Sequence, residues 1–279
     1  MASSIPLILP QDVEPLVSQV AGHAKDKDKR SPGMLKHKDG YVLKPMLKPV
    51  QAKTEIQFYE GLAGAPHAAL QPFIPKYYGI SHVKIESYDG KVIILEDVTG
   101  TFCKPCVMDI KIGKQTWDPF ATASKRESEE RKYVECKKQL GFSIPGFQVY
   151  DSISNHLKKF DKNYGKSLNG DTVKNAFSIF LNLHKPKCAL MAVDVYIAEI
   201  QKIFDIMSQQ NNVHLYSSSV LLSYDCEQLG KNIDPSLWSR VHMIDFAHAY
   251  TGETHEQGPD NNYLEGLKSL LQLLKSFKE

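Results

Sequence analysis

Residues 105–113 read Pro-Cys-Val-Met-Asp-Ile-Lys-Ile-Gly, so an acid, Asp109, and a base, Lys111, alternate inside an apolar run. Strand side chains repeat every second residue, which would put both charges on one face. Opposite charges on an apolar strand cost free energy unless each has a partner. That partner is either the other charge, in a structural ion pair, or a ligand that brings its own. Asp109 could bond ribose hydroxyls or position an attacking hydroxyl. Lys111 could neutralise charge on a phosphoryl group in flight. A second segment, Met243-Ile244-Asp245-Phe246-Ala247-His248, ends an apolar run in a carboxylate. An aspartate so placed is a common holder of magnesium on a nucleotide. It is also a common helix cap. Together the two segments point to phosphoryl transfer.

Weaker features lean the same way. Lys44 ends a short strand and Glu55 lies on the helix that follows. A strand lysine held by a helix glutamate is how protein kinases aim a cation at nucleotide phosphates; the plain alternative is two surface charges. Leu95-Glu96-Asp97-Val98 reads as a linker whose backbone could meet an adenine edge, or as a strand end with two solvated acids. Ser217-Ser218-Ser219 brings three hydroxyls ahead of an apolar run, where serine could assist a metal or simply make a turn. The stretch 125–166 is locally basic through Lys125, Arg126, Arg131, Lys132, Lys137, Lys138, Lys158, Lys159, Lys162 and Lys166. It is either a solvated face or a seat for an anionic substrate.

These residues need elements to position them. Asp39-Gly40 predicts a tight hairpin between Met34-Leu35 and Tyr41–Lys44, after a loop over 24–40. Ile56, Tyr59 and Leu62 share one helical face over 52–62. Strands are expected at 77–80 and 92–95, with Asp89-Gly90 as the turn between them. Helices follow over 118–136, 172–184, 191–209 and from Asn261 onward, where Leu264, Leu267, Leu271 and Leu274 align. Strand-like 213–224 and 241–246 precede the last helix. The order is a small β-rich lobe and a larger mixed one, with room for a nucleotide between them.

Composition narrows the class. The 279 residues are 42% apolar and 24% charged, ordinary values for a globular chain with a real core. A net charge of +2 excludes a strong polyanion binder, so no nucleic-acid partner is expected and any phosphate preference must be local. The five cysteines are irregularly spaced, which fits a reducing compartment. Cys103 and Cys106 form a lone C-x-x-C without the second pair a zinc site needs. No apolar run approaches a membrane span, and residues 1–11 lack the pattern of a signal peptide. The expected location is cytoplasmic, nuclear or both.

In order along the chain, several segments resemble motifs of the inositol polyphosphate kinase family. P-x-x-x-D-x-K-x-G at 105–113 looks like its signature. Ser218-Ser219-Val220-Leu221 and Ile244-Asp245-Phe246 are similar to its S-S-L-L and I-D-F. Gln19-Val20-Ala21-Gly22-His23, Tyr77-Tyr78-Gly79, Leu95–Val98, Asp118-Pro119-Phe120 and Asn163-Tyr164-Gly165 also match, and the likeness is greatest to the multikinase branch. The resemblance implies an α+β, two-lobed protein-kinase-like fold. Its β-rich N-lobe would span 1–97 and its mixed α/β C-lobe 98–279, with a short helical inositol-phosphate-binding insertion at about 118–140.

The resemblance also assigns roles. Lys44 would contact ATP phosphates, Glu96 and Val98 would offer backbone to adenine, and Asp109 would meet ribose. Lys111 would stand between the transferred phosphate and the inositol. Asp245, with Ser219, would hold Mg2+. Lys132 and His248 would bind inositol phosphates. Ser128 and Glu129 stand where multikinases usually offer paired glutamines, and Lys162 replaces another. The implied activity is ATP-dependent phosphorylation of inositol tris- and tetrakisphosphate hydroxyls, at the 6- and 3-positions, toward pentakisphosphate. The implied protein is a monomer that acts on soluble inositol polyphosphates, with phosphoinositide headgroups as a further substrate class. Alternatives are a hexakisphosphate kinase that makes pyrophosphates, or a non-catalytic scaffold of the same fold.

Overall fold

A computed structural model of the chain describes residues 12–21, 32–64, 67–85, 88–184, 186–251 and 258–279, with only the backbone of 186–189. Gly22 and His23 of the N-terminal motif, the loop at 24–31 and residues 1–11 lie outside the described residues.

The first lobe holds β1 (Val13–Pro15), β2 (Leu35–His37), β3 (Tyr41–Pro45), α1 (Pro49–Gly61), β4 (Tyr77–Ile85) and β5 (Tyr88–Glu96). Its strands form one antiparallel sheet in the order β1-β2-β3-β5-β4. The Asp39-Gly40 hairpin is present, and Gly40 takes φ +85°, a conformation glycine adopts without steric cost. Pro49 opens α1, where its missing N–H costs nothing. Asp89-Gly90 is not a turn. It lies inside β5, paired with Lys84 and Val83, so the local turn signal lost to cross-strand pairing.

Beyond a short linker come β6 (Pro105–Ile112), α2 (Ala123–Glu130), α3 (Val134–Leu140), β7 (Phe142–Tyr150), β8 (Leu157–Phe160) and α4 (Lys162–Ser167). Then follow α5 (Val173–Phe180), α6 (Pro186–Gln209), β9 (Val213–Leu215), β10 (Ser219–Asp225), β11 (Ser239–Ile244), β12 (Ala249–Thr251) and α7 (Asn261–Lys275). The sheet β11-β10-β6-β7-β8 forms the floor of this lobe, beside the ribbon β12-β9.

Two expected elements divide. The helix over 118–136 is instead α2 and α3, separated at Tyr133, which takes the left-handed φ of +53°. The strand over 213–224 breaks between β9 and β10, where Ser217 is left-handed at φ +58°. Charge pattern and apolar content ran through both breaks, so periodicity could not reveal them.

Strand alternation in β6 does what the sequence demands. Met108, Ile110 and Ile112 belong to the main core, with Phe177 and Phe180 of α5, Tyr196 of α6 and Leu267, Leu270 and Leu274 of α7. Asp109 and Lys111 take the other face, toward the cleft between the lobes. The first sheet keeps a small core of its own, Leu35, Leu43, Val83, Val92 and Ile94. Helix α1 precedes the linker in sequence, yet Ile56, Phe58, Tyr59 and Leu62 join the core of the larger lobe.

The N-terminal segment also bridges the lobes. Beyond β1, Val17 C=O accepts from Lys159 Nζ at 2.6 Å, and Val20 lies on β7. A Cβ at Gly146 would stand 2.2 Å from Val20 O. Gly146→Ala should therefore force the segment off the sheet and destabilise by about 1–3 kcal/mol, as overpacking does. A thermal melt should show a drop of several degrees, whereas an unchanged midpoint would mean that the segment is not clamped there.

Candidate active site

The cleft contains a cavity of about 380 Å³ lined from both lobes. At its floor, Lys44 Nζ of β3 donates at 2.7 Å to Glu55 of α1 and at 2.7 Å to Asp245, just past β11. Glu55 is 2% exposed, so its charge is held in place by the ammonium it meets. Burial raises the Glu55 carboxyl and Asp245 adds to that, while Lys44 opposes it. Burial likewise disfavours charge on Lys44, but the two carboxylates outweigh it and the ammonium is raised net. The pairing of Lys44 with Glu55 expected from their spacing is thus present, and Asp245 is its third member.

Asp245 does not cap a helix, because β12 follows it. It takes φ +63°, a left-handed conformation that costs free energy in most residues and that Asn and Asp tolerate best. Ser218 Oγ donates to Asp245 C=O at 2.8 Å and secures the turn. The next residue, Phe246, stacks on Phe58 at 4.1 Å and meets Tyr59 edge-on at 5.5 Å. The backbone turn and the aromatic stack together aim Asp245 at Lys44.

Asp109 and Lys111 are not an ion pair. Lys111 Nζ donates to Ser217 C=O at 2.5 Å, which the left-handed turn presents to it. Asp109 is buried, and its Oδ1 has no hydrogen-bond partner among the described residues. The Ser219 hydroxyl on β10, in register with Lys111, is fully buried and within reach of the Asp109 carboxyl. Burial pushes the Asp109 carboxyl up to about 6; Lys111, Ser219 and Lys44 oppose that rise, and Asp245 adds to it. A buried carboxylate oxygen without a partner on the cavity wall fits a site that completes itself with a ligand.

The linker meets the cavity through backbone. Glu96 N–H is used by Lys76 C=O at 2.9 Å, and Val98 C=O accepts from Arg240 at 2.7 Å. Val98 N–H has no partner among the described residues and lies on the cavity wall. On the opposite wall His248 Nδ1 bonds Asp118 at 2.7 Å. Burial lowers the imidazole against the pull of Asp118, so it is neutral at pH 7 and Nε2 is left as an acceptor. Asp118 had no role in the sequence reading; its place in the D-P-F triplet was the available signal.

The structure therefore gathers Lys44, Glu55, Glu96, Val98, Asp109, Lys111, Asp245 and His248 around one cavity. Ser128, Glu129, Lys132, Lys162 and Ser219 do not line it. Ser128 and Lys162 are exposed, and Lys132 sits in an ion pair with Glu129. Tyr59 and the N-terminal residues Gln19, Val20 and Ala21 line the cavity as well, and sequence alone assigned none of them to it. Among the described residues no three His, Cys, Asp or Glu side chains cluster as a metal cage. Magnesium needs no such cage, since that ion keeps waters and phosphates in its shell and is bound through one or two carboxylates.

Fold and site together define a two-lobed, protein-kinase-like α+β protein. The sequence model of inositol polyphosphate kinases matches residues 92–275, about two thirds of the chain. The protein belongs to the inositol polyphosphate kinase family. It is 37% identical over 217 residues to human inositol polyphosphate multikinase, which covers 76% of this chain and 51% of that protein. It is 28% identical over 282 residues to Arabidopsis thaliana inositol polyphosphate multikinase beta, covering 92% and 91% of the two. The chain thus spans about half the length of the mammalian relatives and nearly all of the plant one. The crystal structure of inositol phosphate multikinase Ipk2 from S. cerevisiae, in complex with ADP and Mn2+, superposes with a TM-score of 0.69 at 26% identity, covering 86% of this chain and 99% of that one.

The raised Asp109 makes a prediction about the ligand-free protein. Its folded value lies above the ordinary carboxylate value near 4, so folding favours the protonated form. Stability is unaffected below about pH 4, is lost as pH rises to about 6, and is constant above. Asp109→Asn should therefore stabilise the ligand-free fold at pH 7.5 and not at pH 4. Denaturant melts at the two pH values decide it. An equal effect at both would show that burial does not disfavour this carboxylate.

Proposed function

We propose that the chain is an ATP- and magnesium-dependent kinase that phosphorylates hydroxyls of inositol tris- and tetrakisphosphate, at the 6- and 3-positions, toward pentakisphosphate. The observation that carries the reading is Lys44 held between Glu55 and Asp245 at the floor of a cavity that also holds Asp109 and Lys111. Family membership and the nucleotide-bound yeast relative support it. The expected substrates are soluble inositol phosphates, with phosphoinositide headgroups as a second class. Among the described residues no helix is long and apolar enough to cross a membrane. We read the chain as a cytoplasmic or nuclear monomer divided near residue 97.

Each role follows from position. Val98 N–H and the Glu96 backbone would meet the adenine edge, and the unpartnered Asp109 oxygen would accept from ribose. Lys44, fixed by two carboxylates, would meet the nucleotide phosphates without reorganising. Asp245, with the buried Ser219 hydroxyl behind it, would hold magnesium, which neutralises phosphate charge when bound. Lys111, anchored by Ser217 C=O, would steady charge on the phosphoryl group in flight. His248, held by Asp118, would orient the acceptor inositol, with Lys132 and Lys162 beyond it toward the ring phosphates. Little covalent work is left to the protein in such a transfer, so catalysis is positioning and electrostatics.

Chromatography of products from a panel of inositol phosphates with ATP tests the reading. New hydroxyl-phosphorylated products support it. Products only from hexakisphosphate would favour the pyrophosphate-forming alternative, and no product at all would favour a scaffold.

Two substitutions test the roles. Asp245→Asn should abolish turnover and leave the melting temperature nearly unchanged, because asparagine tolerates the left-handed backbone and lacks only the charge. Full turnover at saturating magnesium would remove Asp245 from the metal. Lys111→Ala should lower kcat by more than it weakens ATP binding, since its contribution is largest in the transition state. A pure loss of ATP affinity would place Lys111 away from the reacting centre.

A further inference from the structure

Three lysines converge on one acid of the insertion. Glu129 Oε1 accepts from Lys125 at 2.5 Å and from Lys132 at 2.9 Å, and its backbone carbonyl accepts from Lys137. The Glu129 side chain is 10% exposed, while those of Lys125 and Lys132 are 45% and 43% exposed. Burial alone would raise the carboxyl, yet the two ammonium groups hold it at about 2. Glu129 is therefore charged at any physiological pH.

The cluster lies on the substrate side of the cleft. Asp118, where the insertion begins, binds His248 on the cavity wall. The charge of Lys125 reaches His248, as that of Lys111 does. Tyr133, next to Lys132, feels both Glu129 and Asp109. Its ring also packs against Gly165 of α4, the helix that starts with Lys162.

We propose that Glu129 is an internal counter-anion that sets how strongly the insertion attracts phosphate, and so how highly phosphorylated a substrate it favours. Lys125 and Lys132 alone would form a doubly positive seat suited to a phosphate dianion. With Glu129 between them the seat carries one net charge. Each ammonium has three N–H donors, so bonding Glu129 orients both lysines and leaves donors for a ligand. The buried carboxylate repels any phosphate that approaches, and the repulsion grows with the number of phosphates on the ring. The inference rests on the reading that this cleft takes inositol phosphates.

Isothermal titration tests it, with inositol tris-, tetrakis- and pentakisphosphate, and separately ATP, at two salt concentrations. Glu129→Gln keeps the shape and removes the charge. It should tighten binding about threefold for the trisphosphate, rising to about tenfold for the pentakisphosphate, with ATP unmoved and the gain reduced by salt. Lys132→Ala should weaken substrate binding only about twofold in the native background, where Glu129 already offsets its charge. In the Glu129→Gln background it should weaken binding about tenfold, a coupling that independent sites would not show. Lys125→Ala, at an exposed position, should shift binding the opposite way from Glu129→Gln and carries the test should the latter not fold.

Binding that is unchanged, weaker, or tightened equally for all three ligands would overturn the proposal and leave Glu129 as a fixture that only holds lysines. If the native chain binds no inositol phosphate, the reading of the cleft fails with it. If the native chain binds them and Glu129→Gln changes nothing, this inference alone fails.

Discussion

The Lys44 ammonium is the point on which the cleft depends. It is supplied by the first sheet, paired to a buried acid on α1, and paired again to an acid that follows the last strand of the second sheet. Residues 11 and 201 positions apart are thereby held within one hydrogen-bond length of the same nitrogen. Removing the Lys44 ammonium would leave the buried Glu55 carboxylate without its counter-charge, at a cost of about 3–5 kcal/mol, whereas the more exposed Asp245 can be neutralised at little cost. The bond from Lys44 to Asp245 crosses between the lobes, and Glu55 adds a second tie by accepting from the backbone of Phe246.

Backbone strain and aromatic packing share the task of keeping that arrangement. Two non-glycine residues at the cavity, Ser217 and Asp245, are left-handed. The first turns its carbonyl toward Lys111 and the second turns its carboxylate toward Lys44. Such conformations persist only where their surroundings over-determine them. Here the stack of Phe246 on Phe58, with Tyr59 edge-on, joins the strained turn to α1, and α1 in turn carries Glu55. The helix belongs to the first lobe by sequence and to the second by packing, which lets it coordinate both.

A nearly neutral chain can still gather cations locally if each is held in place by the groups it meets. On the side proposed for the nucleotide, Lys44 is fixed by two acids and Lys111 by a carbonyl. The insertion does it with exposed lysines arranged around one buried acid. The cleft and the insertion thus share one device, a carboxylate that orients an ammonium.

Much of this was legible in the residues. The period-two spacing of Asp109 and Lys111 required a common face, because any strand enforces it, and the apolar residues between them had to face a core. The Asp39-Gly40 turn and the Lys44–Glu55 spacing were equally local, as were the ordered motifs that indicated the family. What sequence could not decide was nonlocal. Whether Asp109 pairs with Lys111 or stays open depends on Ser217 C=O, 106 positions from Lys111, being turned to take the ammonium. That Asp118 holds His248 was settled by a partner 130 positions away in the chain. Local pattern specifies which face a side chain takes; only the assembled fold specifies which charge it meets there.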